Sequence, residues 1–138
     1  MENKKASIQF VNFMVRESHI SFNEIGEYDI SLDFKAHAIV EQENTMYRLF
    51  IETIIEEERG KVRISLLSEA IFNYDDAIPL EDLKGGLFTK NAPAIVFPYI
   101  RAYIASLTAL SGVPTMNLPT LNLTKLGDSL KDNIEVRE

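Results

Sequence analysis

Few residues of this chain are of types that do chemistry, and their spacing limits how they can be used. The two histidines, His19 and His37, could act as metal ligands or as a general base. Neither belongs to a ligand-spaced pair or a His-Glu-x-x-His pattern, and His37 falls on the polar side of an alternating segment, where a solvated imidazole is the plain reading. Glu56-Glu57-Glu58 could hold a cation, but beside a hairpin turn such a run more often keeps the turn wet and blocks edge pairing. Gly85-Gly86 has neither the Gly-x-Gly-x-x-Gly spacing nor a following Lys-Ser/Thr, so no phosphate cradle is expected. With no cysteine there is no thiolate zinc site, no disulfide and no cysteine nucleophile. No serine elbow or spaced acid pair stands out. The expectation is a protein without catalytic residues, metal or cofactor, and not an enzyme.

Arg101 is the single charge in Ala92–Leu110, "APAIVFPYIRAYIASLTAL". An anion site is one use for it; pairing with a carboxylate or extension toward solvent is commoner. The segment is almost long enough to cross a bilayer, which takes about 20 apolar residues. A central arginine costs about 2.5–3.5 kcal/mol there, and Pro93, Pro98, Ser106 and Thr108 also interrupt the run. The segment reads as a buried helix rather than a membrane-embedded one.

Composition narrows the classes further. A chain of 138 residues suits one domain, and 25% charged with 46% apolar residues is ordinary for a soluble globular protein. Twenty-one Asp and Glu against 14 Lys and Arg, a net charge of -7, argue against nucleic acid, as does the lack of a basic cluster interleaved with aromatics. The opening "MENKKASIQF" contains no apolar h-region, so a cytoplasmic, untargeted protein is expected.

The elements follow from periodicity. In "YDISLDFKAHAIVEQ" the residues Ile30, Leu32, Phe34, Ala36, Ala38 and Val40 share one face, opposite Asp29, Ser31, Asp33, Lys35, His37 and Glu41. "TMYRLFIETIIEEE" and "KVRISLLSEAIF" alternate in the same way, joined by polar links of hairpin length. A β-rich stretch from about Ser7 to Arg16 or a little beyond adds an earlier strand. Strands thus occupy about 7–72 as an antiparallel meander, followed by an irregular connection at 73–91. The long helix is expected over 92–111, with Asn91 as N-cap, Pro93 in its first turn, a kink at Pro98 and a stop at Gly112 and Pro114. Its stripe is Val96, Tyr99, Ile100, Tyr103, Ile104, Leu107 and Leu110. An extended arm and a short helix with Leu123, Leu126, Leu130 and Ile134 fill 113–135. The fold class is α+β, a four-stranded antiparallel sheet covered by one long and one short helix in a single domain, 1–138.

Outside its stripe the helix carries Ile95, Phe97, Ala102, Ala105, Ser106 and Ala109, all uncharged. A helix apolar all round is buried all round. Either the arm and final helix of the same chain cover it, or another protomer does; the oligomer is the expectation.

"IVFPYIRAYIASLTALSGVPTMNLPTLNL" resembles the region that identifies the SecB family of protein-export chaperones. The family's Phe-Pro-Tyr-x-Arg helix start matches Phe97-Pro98-Tyr99-Ile100-Arg101. Its Pro-x-Leu-Asn-Leu arm corresponds to Pro114-Thr115-Met116-Asn117-Leu118, and Ile20-Ser21-Phe22 matches its Ile-Ser-Phe. The resemblance covers nearly the whole chain. It implies a homotetramer, a dimer of dimers, that works without ATP or any cofactor as a holdase for unfolded polypeptides, preproteins for Sec-dependent export among them, and hands them to the SecA motor. It places Ile30, Leu32, Phe34, Met116, Leu118 and Leu121 at the client groove and Leu67 and Glu69 at the SecA contact. Tyr103, Ser106, Leu107 and Leu110 fall at the oligomer interface.

The chain departs from the family's pattern in places. His19 and Asn23 stand where acidic residues flank Ile-Ser-Phe, only "NEIGE" links Phe22 to Tyr28, and there is no tryptophan. A SecB-like chaperone dedicated to one partner, such as an antitoxin, is the alternative role. An α+β ligand-binding or enzymatic domain with its site in 73–91 is the alternative class.

Overall fold

The computed structural model describes residues 7–119 and 121–138, with only the backbone of Leu87. The six residues before Ser7, read above as part of a segment without a leader, lie outside the described residues.

Four long strands form as the alternation predicts: β1 (Ile8–Phe22), β2 (Ile30–Glu41), β3 (Met46–Glu57) and β4 (Val62–Tyr74). Their order is not that of a meander. β1 pairs antiparallel with β4, so 23–29 crosses the end of the sheet to begin β2 on the far side. β1 also runs well past Arg16, because "SHISF" keeps the pairing going to Phe22↔Val62. Two bulges, between Phe10 and Asn12 and between Val15 and Glu17, shift its register against β4.

A fifth strand makes the sheet mixed. Ile134, expected in the last helix, begins β5 (Ile134–Arg137), which pairs parallel with Ala38–Glu41 of β2. Asn133 ends the helix before it: its N–H donates to the Leu130 carbonyl at 2.9 Å and its side chain to that of Ser129 at 2.7 Å. The resulting order is β1-β4-β3-β2-β5.

The connection at 73–91 is shorter than expected. A one-turn helix, α1 (Leu80–Gly85), fills its centre, and the long helix α2 (Leu87–Leu110) starts at an N-cap of Gly86 rather than Asn91. Pro93 therefore sits inside α2 together with Pro98. α2 ends where expected: the Ser111 N–H returns to the Leu107 carbonyl, and Gly112 takes a left-handed conformation at φ 79°. After an extended arm, α3 (Thr124–Lys131) packs across both α2 and β2. A Cβ on Gly127 would lie 3.1 Å from the Thr89 carbonyl oxygen and 3.3 Å from Lys90 Cα, so glycine sets how closely α3 approaches α2.

The core lies between the sheet and the helices. Tyr47, Leu49, Ile51 and Ile55 of β3 and Ile64, Leu66, Ala70 and Phe72 of β4 meet Ala92, Val96, Ile100 and Ile104 of α2. Phe88 stands edge-on to Tyr47 and Phe72, with centroids 4.6 and 5.3 Å away. The buried stripe of α2 thus runs Ala92–Val96–Ile100–Ile104–Thr108, with Phe97 beside it. It is narrower than predicted, since Tyr99 is 45% exposed and Leu110 88% exposed. By length and apolarity Phe88–Leu110 would suffice to cross a membrane; here its buried stripe lies on the sheet.

Thr108, fully buried, anchors the arm. Its hydroxyl donates to the Ile104 carbonyl at 2.9 Å and accepts the Met116 N–H at 2.9 Å. Thr108→Val keeps the shape and leaves that buried N–H unpaired, at a cost of about 1–3 kcal/mol. Urea unfolding should show a lower midpoint with an unchanged m-value.

Candidate functional site

The residues with chemical potential are dispersed. His19 is on β1 and His37 on β2, three strand spacings or roughly 14 Å apart across the sheet, and the register sets them four residues apart along it as well. His37 lies flat on Phe50, with centroids 4.7 Å apart and planes 7° from parallel, and remains exposed. Glu56-Glu57-Glu58 is a turn device: Oε1 of buried Glu57 accepts the N–H groups of Arg59 at 2.7 Å and Lys61 at 3.3 Å, while Glu56 pairs with Arg63. The hollow beside it, about 390 Å³, is lined by Glu27, Asp29, Glu58, Arg59 and Lys61 and is polar. Among the described residues no group of three or more His, Asp or Glu is placed to hold a metal.

On the sheet face opposite the helices, Glu69 is fully buried rather than presented to solvent. Arg48 Nε donates to it at 2.9 Å and Arg16 Nη1 at 3.1 Å, and Arg48 also reaches Glu41 at 3.2 Å. The hydrogen bond that Arg48 donates to Glu69 holds the Arg48 pKa above its ordinary value. Leu67 is half-buried on the same face. In the core, burial pushes the phenol pKa of Tyr47 up, and its hydroxyl has no hydrogen-bond partner among the described residues.

An apolar cavity of about 270 Å³ opens where β2, the arm and α3 meet. Leu32 and Phe34 form one wall, Leu121, Leu123 and Leu126 the other, and Asp33, Asn122 and Lys125 the rim. The β2 wall exists because Leu32 and Phe34 alternate toward the helices beyond the part of β2 that β5 covers. Among the described residues no strand pairs with the outer edge of Ile30–His37, since β5 begins opposite Ala38. The arm wall is bent into place by Asn122, whose Oδ1 accepts the Thr124 N–H at 3.0 Å and the Thr124 hydroxyl at 2.6 Å.

Three of the six groove candidates, Leu32, Phe34 and Leu121, meet in this cavity. Ile30 is half-buried nearer the crossover. Met116 and Leu118 are instead core residues, 8% and 4% exposed, because the Thr108 anchor pulls this part of the arm inward. Leu123 and Leu126 were read only as helix periodicity; the Asn-Leu-Thr sequence that turns the arm into α3 is the signal that could have placed them.

Of the interface candidates, Ser106 and Leu110 are exposed and Leu107 is half-buried. Tyr103 is engaged within its own chain, its hydroxyl hydrogen-bonded to that of Ser18 at 2.8 Å. Tyr99 lies on Phe10 and Phe13, centroids 5.1 and 5.4 Å away, yet stays open to solvent. Beside this face runs the outer edge of β1, unpaired among the described residues, with Val11 53% exposed at a bulge.

No family model matches the chain. An uncharacterized protein of Methanocaldococcus jannaschii is 24% identical over 135 residues, spanning 93% of this chain and 87% of that protein. The fold matches a Mycobacterium tuberculosis SecB-like chaperone, solved in complex with a ChAD peptide from the HigA1 antitoxin. That match has a TM-score of 0.70 at 16% identity and covers 83% of this chain and 87% of the other. A protein of unknown function from Streptococcus agalactiae aligns at a TM-score of 0.48, too distant to carry an argument. The chain thus has the SecB-like fold, with a five-stranded mixed sheet in place of the four antiparallel strands expected.

The charge cluster on the outer face has a testable asymmetry. Glu69→Ala leaves the partly buried Arg48 with Glu41 alone and its Nε without its partner, and should cost about 2 kcal/mol. Removing the largely exposed partner with Arg16→Ala should cost less than about 1 kcal/mol. Chemical denaturation of both variants measures the difference.

Proposed function

We propose that this protein is an ATP-independent holdase that binds polypeptides in unfolded, extended form. The observation that carries the reading is the apolar cavity walled by Leu32, Phe34 and Leu121 beside an unpaired length of the β2 edge. Such a site offers apolar cover worth about 25 cal/mol per Å². The strand edge adds backbone hydrogen bonds that demand no particular sequence. Binding the unfolded chain then opposes its folding by mass action. The ChAD peptide complex of the SecB-like chaperone supports a polypeptide ligand. The reading needs no cofactor and no catalytic residue, and it assigns the protein to the cytoplasm, where such clients emerge.

Two roles are open to such a holdase. Export requires delivery to SecA, and the residue matched to that contact, Glu69, is enclosed by Arg16 and Arg48. A carboxylate already neutralised in this way is a poor ligand for a basic partner. This favours a chaperone dedicated to one partner, an antitoxin being one example, over a SecA-coupled one.

The working form proposed is a homotetramer. A long unpaired strand edge beside an uncharged helix face is a self-complementary surface of the kind that closes symmetric assemblies. Ser106, Leu107 and Leu110 lie on it, and Tyr99 adds an aromatic anchor.

Size-exclusion chromatography with light scattering tests both parts. The protein alone should elute at the mass of four protomers, and Leu110→Glu should lower that mass. A chemically unfolded, slow-folding preprotein should co-elute, and the same preprotein once folded should not. Leu32→Asp with Leu121→Asp should weaken capture on the order of a hundredfold with the assembly intact. Normal capture by the double variant would place the client elsewhere.

A further inference from the structure

We infer that Arg101 is a positioning residue that holds the two walls of the apolar cavity at their working separation; the inference rests on the holdase reading. Neither use expected of this arginine accounts for it. Among the described residues it makes no ion pair with a carboxylate, and although its bond to Pro119 is exposed, the residue is half-buried with its Nε enclosed rather than freely extended into water.

Its contacts point in two directions. On one side the guanidinium carbon lies 5.3 Å from the centroid of Phe97, one turn earlier on α2. Phe97 is buried and meets Phe34 edge-on, with centroids 5.9 Å apart and planes at 75°. Phe34 is part of the β2 wall. On the other side Nη2 donates to the Pro119 carbonyl at 3.2 Å, two residues before Leu121 in the arm wall.

A single side chain therefore connects both walls. The Met116 anchor to Thr108 lies earlier in the arm, which leaves the Arg101–Pro119 bond, among the described residues, as the polar tie between arm and α2 nearest the cavity. Stability alone is a weak explanation for this arginine. Its Nε is buried with no hydrogen-bond partner among the described residues, an arrangement that costs free energy wherever it persists. A leucine would fill the space without that cost. What leucine would lose is the bond to Pro119 and the cation over Phe97.

The test compares Arg101→Ala and Arg101→Lys with wild type, using the full chain. Amide hydrogen exchange reads the arm directly. In Arg101→Ala exchange at Thr124 and Gly127, whose N–H groups are bonded to Asn122 Oδ1 and the Leu123 carbonyl where the arm turns into α3, should accelerate about tenfold, the loss of one hydrogen bond's worth of tethering. The amides of β3 and β4 and the assembly mass should not change. Dissociation of fluorescently labelled, reduced and alkylated lactalbumin, a permanently unfolded probe, should accelerate by a similar factor. Arg101→Lys, which can still donate to the Pro119 carbonyl, should recover most of both effects.

Unchanged exchange at Thr124 and Gly127 in Arg101→Ala would overturn the positioning role whatever the probe does. Faster arm exchange with unchanged release of the probe would also overturn it, since the tie would then not matter to the groove. If wild type itself ignores the unfolded probe, the holdase reading fails, while faster arm exchange in Arg101→Ala still supports the tie between arm and helix.

Discussion

The sheet depends on β1 joining β4 rather than β2. Once "SHISF" pairs against Val62–Leu66, the chain has to cross the sheet to start β2, and of the four long strands β2 becomes the one farthest from β1. Every functional feature follows from that separation. One margin is left for the cavity, where β2, the arm and α3 meet, and the other for the long bare edge of β1. α2 is what makes the arrangement stable, because it spans the four long strands: Phe88 over β3 and β4, Phe97 over β2, and Tyr99 over β1.

The tertiary ties of α2 divide between these margins. Tyr99 and Tyr103 secure β1, while Arg101 and Thr108 secure the arm. Polar groups do this at points where apolar packing would leave the partner free to slide. The buried stripe supplies cohesion, and the few directed hydrogen bonds supply position.

Much of this was legible in the sequence. Alternation over Ile30–Val40 and in the two strands after it gave three strands nearly to the residue, because each is half-buried and its period is unambiguous. Gly112 marked the end of α2 for a reason the left-handed backbone makes plain. The start of α2 was misplaced because Pro93 is a strong first-turn signal, and nothing local says that five residues before Ala92 are already helical. β5 escaped because four residues of "IEVR" become a strand only when β2 offers an edge. The cavity was half legible: Leu32, Phe34 and Leu121 came from resemblance, but Met116 and Leu118 were drawn inward by a hydroxyl eight residues before Met116. The burial of Glu69 depends on cross-strand register, which places Arg48 and Arg16 on either side of it. No single segment records that.

The two bulges in β1 have a consequence for what could pair with its outer edge. A straight fifteen-residue edge would accept almost any extended chain in any register, the condition that leads to open-ended stacking. Inserting Val11 and Arg16 as extra residues gives the edge a local twist at two fixed places. An incoming strand matches both only if it carries the same irregularities in reverse order, which an antiparallel copy does. The irregular edge thus disfavours pairing with a regular strand and so guards against open-ended stacking.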